Sequence, residues 1–145
     1  MKILMIGDIV GECGTAYIRN NLDRIRTELK ADMIIANGEN AAKGNGLDIE
    51  TAEILFSAGV DVITSGNHIW QKPEIFPYLN EKDNILRPAN FPPGAPGHGY
   101  CTVSKKNLKL TVINLQGREN MSSIDCPFRA AKEILKKVKK ETPLV

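Results

Sequence analysis

The sequence predicts an α/β protein built on a parallel sheet, and two features of its pattern support this. Short, largely apolar runs at residues 2–6, 33–36 and 60–64 have the composition of strands buried on both faces. Segments with a helical spacing of apolar residues separate the runs, and this alternation is typical of strands joined by right-handed helical crossovers. A length of 145 residues fits a single domain.

The helices between these runs carry recognisable signals. In the first helix, apolar residues at helical spacing form one stripe: Ile18, Leu22, Ile25 and Leu29. Asp48 is suited to cap the second helix, which we expect to end near Gly59. Pro73 is expected to open a short third helix that runs to residue 79.

The second half of the chain has a different pattern. A further strand is expected at residues 85–86, and the Pro-rich and Gly-rich residues 88–99 indicate an irregular loop. The segments 100–103 and 108–114 are expected to form a hairpin. A last helix begins near Pro127, with an expected inner face of Phe128, Ala131, Leu135 and Val138.

Residues 143–145 resemble the start of another buried strand. A finished domain seldom stops at such a point. We therefore expect residues 1–145 to form one domain that is truncated, and unpaired sheet edges in such a fragment favour a homo-oligomer.

Composition and charge exclude several classes of function. The chain has 19 basic and 17 acidic side chains, a balance that gives no electrostatic case for binding DNA or a membrane surface. A run of about 18 apolar residues and a secretory signal are both missing from the sequence, so we expect a cytoplasmic protein. The three cysteines lie far apart and form neither a zinc pattern nor a disulfide framework.

Polar residues next to a glycine follow each of the first three predicted strands. Asp8 follows the first, Glu39 and Asn40 follow the second, and Asn67 and His68 follow the third. Ligands of open α/β sheets bind beyond the carboxyl ends of the strands, so we expect these residues to converge. Carboxylate and amide oxygens are hard ligands that suit Mg²⁺, Mn²⁺ or iron, and a protonated His can donate to a leaving oxygen.

Two other interpretations of these residues are open. Gly7, Gly11 and Gly14 lie between a strand and a helix, as in dinucleotide-binding proteins, but their spacing differs from the usual fingerprint. Asp8 would also repel a pyrophosphate at that helix N-terminus. Cys13 is a weak candidate nucleophile, because the neighbouring Asp8 disfavours its thiolate.

The strand-end residues resemble a known superfamily. Gly7-Asp8, Gly38-Glu39-Asn40 and Gly66-Asn67-His68 resemble the first three blocks of the calcineurin-like metallophosphoesterases. Longer matches are similar to the YmdB-like phosphodiesterases in particular; they lie at residues 7–11, 36–42, 66–70, 86–90 and 127–129. The resemblance runs along essentially the whole chain.

The resemblance implies a fold and a chemistry. The fold would be the N-terminal part of a two-sheet sandwich flanked by helices. The activity would be hydrolysis of 2′,3′-cyclic nucleotides, RNA ends or related phosphodiesters at a centre of two metal ions, usually iron, with Mn or Mg as alternatives. By the resemblance, Asp8 and Asn40 would hold one ion, Glu39 would bridge both and Asn67 would hold the other. His68 would be the proton donor.

The chain departs from that family in one respect. Family members are longer and supply further His ligands, whereas this sequence has only His68 and His98. Each ion would then have about two protein ligands, fewer than these metals normally take. We therefore expect the chain alone to be inactive or nearly so. The alternative is a non-catalytic binding or regulatory module that keeps the same fold.

Overall fold

The computed structural model describes residues 1–105, 107–140 and 142–145, and its first sheet has four parallel strands. These strands are β1 (Ile3–Ile6), β2 (Met33–Asn37), β3 (Val62–Thr64) and β4 (Ile85–Leu86), and they lie side by side in chain order. The predicted α/β class is confirmed. The third strand is shorter than predicted, because Asp61 at its start turns its carboxylate to the backbone N–H of Ile34 at 2.8 Å.

Three helices connect the strands: α1 (Gly11–Leu29), α2 (Ile49–Ser57) and α3 (Ile75–Glu81). Asp48 caps α2 as predicted, since its Oδ1 accepts from the backbone N–H of Thr51 at 2.8 Å. The third helix begins at Ile75 and not at Pro73, because residues 72–76 first form tight turns with bonds from Ile75 N to Lys72 O and from Phe76 N to Pro73 O.

The first sheet buries apolar side chains on both faces. One face packs against the helices, where Leu22, Leu55 and Leu79 are fully buried. The opposite face packs against an antiparallel hairpin made of β5 (Tyr100–Lys105) and β6 (Leu108–Ile113). The buried cluster between the two sheets consists of Met33, Ile35, Val62, Leu86, Cys101, Leu110 and Val112. The predicted hairpin is confirmed, although Lys106 at its turn lies outside the described residues.

Asn114 fastens the hairpin to the first sheet. Its buried side chain donates from Nδ2 to the carbonyl oxygens of Ser65 at 2.7 Å and Leu86 at 2.9 Å. The Ser65 hydroxyl donates to the same Leu86 carbonyl at 2.7 Å. These bonds satisfy polar groups that would otherwise be buried without partners, and they fix the carboxyl ends of β3 and β4.

The last helix, α4 (Pro127–Val138), begins where the sequence predicts. Its buried residues are Ile134 and Val138, whereas Phe128 is 84% exposed. The predicted inner face, which included Phe128, is therefore wrong at that residue. Two overlapping stripes of apolar residues satisfy the helical period, and packing selects the one that is rotated towards Ile134.

After α4 the chain runs beside β6. Thr142 donates its hydroxyl proton to the carbonyl of Lys109, and the N–H of Thr111 donates to the carbonyl of Leu144, both at 3.0 Å. Among the described residues, no helix is both long and apolar enough to cross a membrane.

Candidate metal centre

The carboxyl ends of β1, β2 and β3 bring the predicted site residues to one edge of the sheet. Pairing between the chain segments continues beyond the strands, with bonds from Ile9 N to Asn37 O and from Gly38 N to Thr64 O, each 3.0 Å. A parallel bridge between Val10 and Asn40 extends the alignment further. The backbone therefore fixes the spacing of the first two polar clusters.

A chain of hydrogen bonds joins residues that follow three different strands. Asn40 donates from Nδ2 to Asp8 Oδ1 at 3.0 Å and to Asp8 Oδ2 at 2.9 Å. The Oδ1 atom of Asn40 lies 2.6 Å from Nδ1 of His68, which donates in this arrangement. Asn40 thus links Asp8 to His68 through its side-chain amide.

Glu39 occupies a space that depends on a glycine. A Cβ atom at Gly66 would lie 2.7 Å from Oε1 of Glu39 and closer still to Oε2. The N–H of His68 approaches Glu39 Oε2 at 3.4 Å. The second-strand carboxylate therefore lies directly against the backbone that follows the third strand.

Asn67 is at the same edge, and its side chain is exposed. Within the ranges that the structure describes, Asn67 adds no side-chain hydrogen bond to the network around Asn40. Its position is consistent with the predicted site.

The donor set fits a hard metal ion in part. Asp8, Glu39, Asn40 and Asn67 offer the oxygen ligands that Mg²⁺, Mn²⁺ and iron accept. An ion shared by Asp8 and Asn40 needs the amide oxygen of Asn40, and this structure has the amide nitrogen there. Among described residues, no group of three or more His, Cys, Asp or Glu side chains is placed to hold a metal.

The pKa values of Cys101 and Cys126 are shifted in opposite directions, so these two thiols differ in reactivity. Burial, helped by the charge of Asp83, raises the pKa of the Cys101 thiol to about 11 and makes it a poor nucleophile. Backbone N–H groups, that of Arg129 above all, lower the pKa of Cys126, which lies at the N-terminus of α4. All three cysteines are free thiols.

Two of the three glycines that suggested a dinucleotide site have conformational or packing roles. Gly11 has a φ of 60° and starts α1, and a Cβ at Gly14 would lie 3.1 Å from Cγ2 of Ile9. Asp8, which precedes this helix, accepts a hydrogen bond from the side chain of Asn40. The glycines therefore bring α1 close to the sheet edge, where a carboxylate already lies.

The roles of two residues that matter to the site escape the sequence analysis. Gly66 makes room for Glu39, and Asn114 holds the end of β3 just before the Gly66 block. A signal for Asn114 does exist, since it is a polar residue at the end of an apolar strand. The role of Gly66 depends on where the Glu39 side chain points, which the sequence does not tell.

The fold and the strand-end site together define an α/β sandwich with a candidate centre for metal-assisted chemistry. The family model described as "YmdB-like protein" matches residues 4–145. The chain belongs to this family, which confirms the resemblance seen in the sequence.

Relatives and solved structures agree with this assignment. The chain is 43% identical over its full length to a Bacillus subtilis (strain 168) protein named 2′,3′-cyclic-nucleotide 2′-phosphodiesterase, of which it covers 55%. A hypothetical protein from Thermus thermophilus superposes with a TM-score of 0.88 at 39% identity, over 94% of this chain and 53% of that one. A novel phosphatase from Mycoplasma pneumoniae superposes with a TM-score of 0.86 at 31% identity, over 94% and 51%. The chain spans about half the length of these relatives.

Proposed function

We propose that this chain carries the first part of the active site of a metal-dependent phosphodiesterase that acts on 2′,3′-cyclic nucleotides, RNA ends or related phosphodiesters. The observation that carries the proposal is the contact of Asp8, Asn40 and His68, which follow three separate strands and meet at one sheet edge. The name of the Bacillus subtilis relative supports the substrate class.

The resemblance implies the proposed ligands, and the oxygen donors at the sheet edge support them in part. Asp8 and Asn40 would hold one ion, Glu39 would bridge, and Asn67 would hold the second, with iron favoured and Mn or Mg as alternatives. Bound there, such ions would supply polarisation of the phosphate and activation of a water molecule at neutral pH. Gly66 keeps the space that the Glu39 carboxylate needs.

His68 is proposed as the proton donor. Its Nδ1 is bonded to Asn40 Oδ1 at 2.6 Å, which fixes the plane of the ring. The other ring nitrogen, Nε2, is then the atom that can deliver a proton to the departing oxygen. In this arrangement Asn40 thus orients the proposed acid of the reaction.

An activity assay tests the proposal. We would measure hydrolysis of 2′,3′-cyclic AMP with Mn²⁺ or Fe²⁺ for the chain alone and for the chain co-expressed with the part of the Bacillus subtilis relative that it does not span. We expect little turnover from the chain alone. We expect measurable turnover from the chain co-expressed with that part of the relative. His68→Ala should lower kcat about 10²–10⁴-fold with metal content unchanged, while His98→Ala, the matched control, should change neither. Turnover that survives both His68→Ala and Glu39→Gln would place the chemistry elsewhere.

A non-catalytic binding module is the second candidate. It is favoured by the small number of ionisable donors at the site, since no described group of three such side chains can hold a metal. The candidate would be supported if the co-expressed proteins bound metal and cyclic nucleotide but did not hydrolyse the nucleotide. We propose a cytoplasmic location, which the three free thiols support.

A further inference from the structure

The last helix, α4, carries an apolar groove beside the face by which it is attached to the protein. The attached face holds Ile134 and Val138, which are 9% and 2% exposed. The groove next to it has a volume of about 420 Å³, and its apolar lining consists of Phe128, Ala131 and Leu135. Phe128 is 84% exposed. The helix therefore presents a second apolar stripe to the solvent.

The spacing of this stripe suits a second helix. Phe128, Ala131 and Leu135 lie three and four residues apart, which is the spacing of one side of a seam between two helices. The small Ala131 between two larger side chains allows a close approach of the partner. The 12 residues of α4 span about 18 Å, so a partner helix has room for about three turns along it.

Lysines form the outer flank of the groove. Lys132, Lys136 and Lys139 line it, and all three side chains are exposed. Lys136 also contacts the exposed Glu133 at 2.7 Å, but a surface ion pair of this kind contributes little and yields readily to a new partner. The groove therefore favours a partner with acidic side chains along one edge of an apolar stripe.

The positive charge of the protein is concentrated on this helix. Residues 127–140 contain six basic side chains and one acidic side chain, whereas the rest of the chain contains 13 basic and 16 acidic ones. A bilayer or a long nucleic acid extends beyond α4 and would also face the acidic remainder. A single acidic helix meets only the lysine flank, so the charge distribution favours a partner of that size.

A second copy of the chain fits the groove less well. In a symmetric dimer the same surface of both copies forms the contact. An antiparallel pair of α4 helices would place both lysine flanks on the same side of the seam, where like charges repel. The charge on the flank thus selects against self-association through this groove.

We propose that the groove formed by Phe128, Ala131, Leu135 and the lysine flank is a docking site for an acidic amphipathic helix of another protein. The partner places apolar side chains at helical spacing in the groove and Asp or Glu side chains against the lysines. Docking of an amphipathic helix in an apolar groove is a common mode of peptide recognition. The charges on the flank set the orientation and the choice of partner.

Two synthetic peptides test the docking site. Both have about 18 residues and a leucine stripe at helical spacing, and they carry either glutamates or lysines along one edge of that stripe. Fluorescence anisotropy of the labelled peptides follows their titration with the chain. We expect the glutamate peptide to bind about tenfold or more tightly than the lysine peptide, with a smaller difference at high salt. No binding of the glutamate peptide, or equal binding of both, would overturn the proposal.

Variants of α4 locate the bound peptide. Lys132 lies on the flank of the groove, whereas Lys137 is exposed on the same helix but outside the groove. Lys132→Glu should weaken binding of the glutamate peptide about tenfold, and Lys137→Glu, which changes the net charge equally, about twofold or less. Phe128→Ser should also weaken it about tenfold, at little cost in stability because the ring is exposed. Equal effects of the two charge reversals would show that the peptide binds elsewhere.

Other occupants of the groove are tested under the same conditions. The probes are vesicles of phosphatidylglycerol with phosphatidylcholine and a single-stranded RNA of about 12 nucleotides. Binding of either probe that is tighter than that of the glutamate peptide and is lost in Lys132→Glu would overturn the proposal. A dimer of the chain alone that Phe128→Ser dissociates, seen by light scattering, would also overturn it.

Discussion

The side-chain amide of Asn40 donates hydrogen bonds to both carboxylate oxygens of Asp8, at 3.0 and 2.9 Å. This side-chain contact joins the loop after β1 to the loop after β2, in addition to the backbone pairing between them. It also places an amide proton donor where the proposed ion needs an oxygen. A bound ion would therefore have to replace this contact.

Replacement of this amide by a carboxylate tests that relationship. Asn40→Asp sets two negative charges about 3 Å apart at a partly exposed position, which should cost ~1 kcal/mol and lower Tm by about 2–5 °C without metal. Addition of Mn²⁺ should restore the Tm, because the ion neutralises the pair. Thermal unfolding with and without Mn²⁺ measures both effects. Asn20→Asp, at an exposed position on α1, is the control, and an equal response from it would contradict the assignment.

Gly66→Ala should damage the site more than the fold. The new Cβ would collide with the carboxylate of Glu39, and because that group ends a flexible side chain it can move away at little cost in stability. We expect the free energy of unfolding to fall by less than about 1 kcal/mol and Mn²⁺ affinity to fall about tenfold or more. Gly7→Ala is the control, because no described atom beyond the chain neighbours lies within 4 Å of its new Cβ. Its free energy of unfolding and its Mn²⁺ affinity should both stay unchanged. Equal metal affinity in the two variants would argue against Glu39 as a ligand.

Asn114→Leu should destabilise the junction between the two sheets. The change removes the donor to the buried carbonyls of Ser65 and Leu86. Leaving buried acceptors with fewer partners should cost about 1–3 kcal/mol. Urea unfolding gives the value, and Asn20→Ala at an exposed position of α1 should cost less than about 0.5 kcal/mol. A loss for Asn114→Leu no larger than that of the control would mean that the junction is held by apolar packing alone.

The pair of Tyr78 and Glu53 predicts a pH-dependent contribution to stability. The phenol donates a hydrogen bond to the Glu53 carboxylate and lowers the pKa of that group below its usual 4.5. Burial, with help from Glu53, raises the pKa of Tyr78 to about 12, so the phenol remains a donor at neutral pH. A lowered carboxyl pKa in the folded state stabilises the fold above pH 4.5, and this gain is lost as the pH falls through the lowered value.

Tyr78→Phe measures that contribution. The variant should be less stable than the wild type at neutral pH, and the difference should shrink below pH 4.5 as Glu53 takes up a proton. Urea unfolding at a series of pH values provides the comparison, with Tyr100→Phe at a more exposed position as the matched change. A difference between wild type and Tyr78→Phe that stays constant with pH would refute the role of the charged Glu53.

Thiol labelling should separate two of the cysteines. The pKa of Cys101 is raised to about 11 by burial, whereas the pKa of Cys126 is lowered by backbone N–H groups at the start of α4. At about pH 7.5, iodoacetamide should modify Cys126 about a hundredfold faster than Cys101, because the thiolate is the reactive form. Mass spectrometry of peptides reads the two rates. Comparable rates in the folded protein would show that Cys101 is more accessible than the structure indicates.

The strands of the first sheet could be predicted because a parallel strand covered on both faces is a continuous apolar run. Ile34 and Ile35, for example, are buried on opposite faces of β2. The face of α4 could not be chosen in this way, since Phe128 and Ile134 both fit a helical stripe and only packing distinguishes them.

The sequence also predicted which residues of the site lie close together, but not how their side chains are oriented. Topology alone brings Asp8, Asn40 and His68 to the same edge, so their neighbourhood follows from the strand pattern. The direction of the Asn40 amide and the contact of Glu39 with Gly66 depend on side-chain rotamers, which the sequence does not determine. The roles of Asp8, Glu39, Asn40 and Asn67 as metal ligands remain predictions.

The most direct test of the central claim is titration of ¹⁵N-labelled protein with Mn²⁺, followed residue by residue in the NMR spectrum. Paramagnetic broadening reports even weak binding, which suits an incomplete set of ligands. The account predicts that the signals of Asp8, Glu39, Asn40, Asn67 and His68 disappear first, and that Glu39→Gln prevents this. Broadening that begins elsewhere, or that is the same in Glu39→Gln, would contradict a metal centre at the carboxyl ends of β1, β2 and β3.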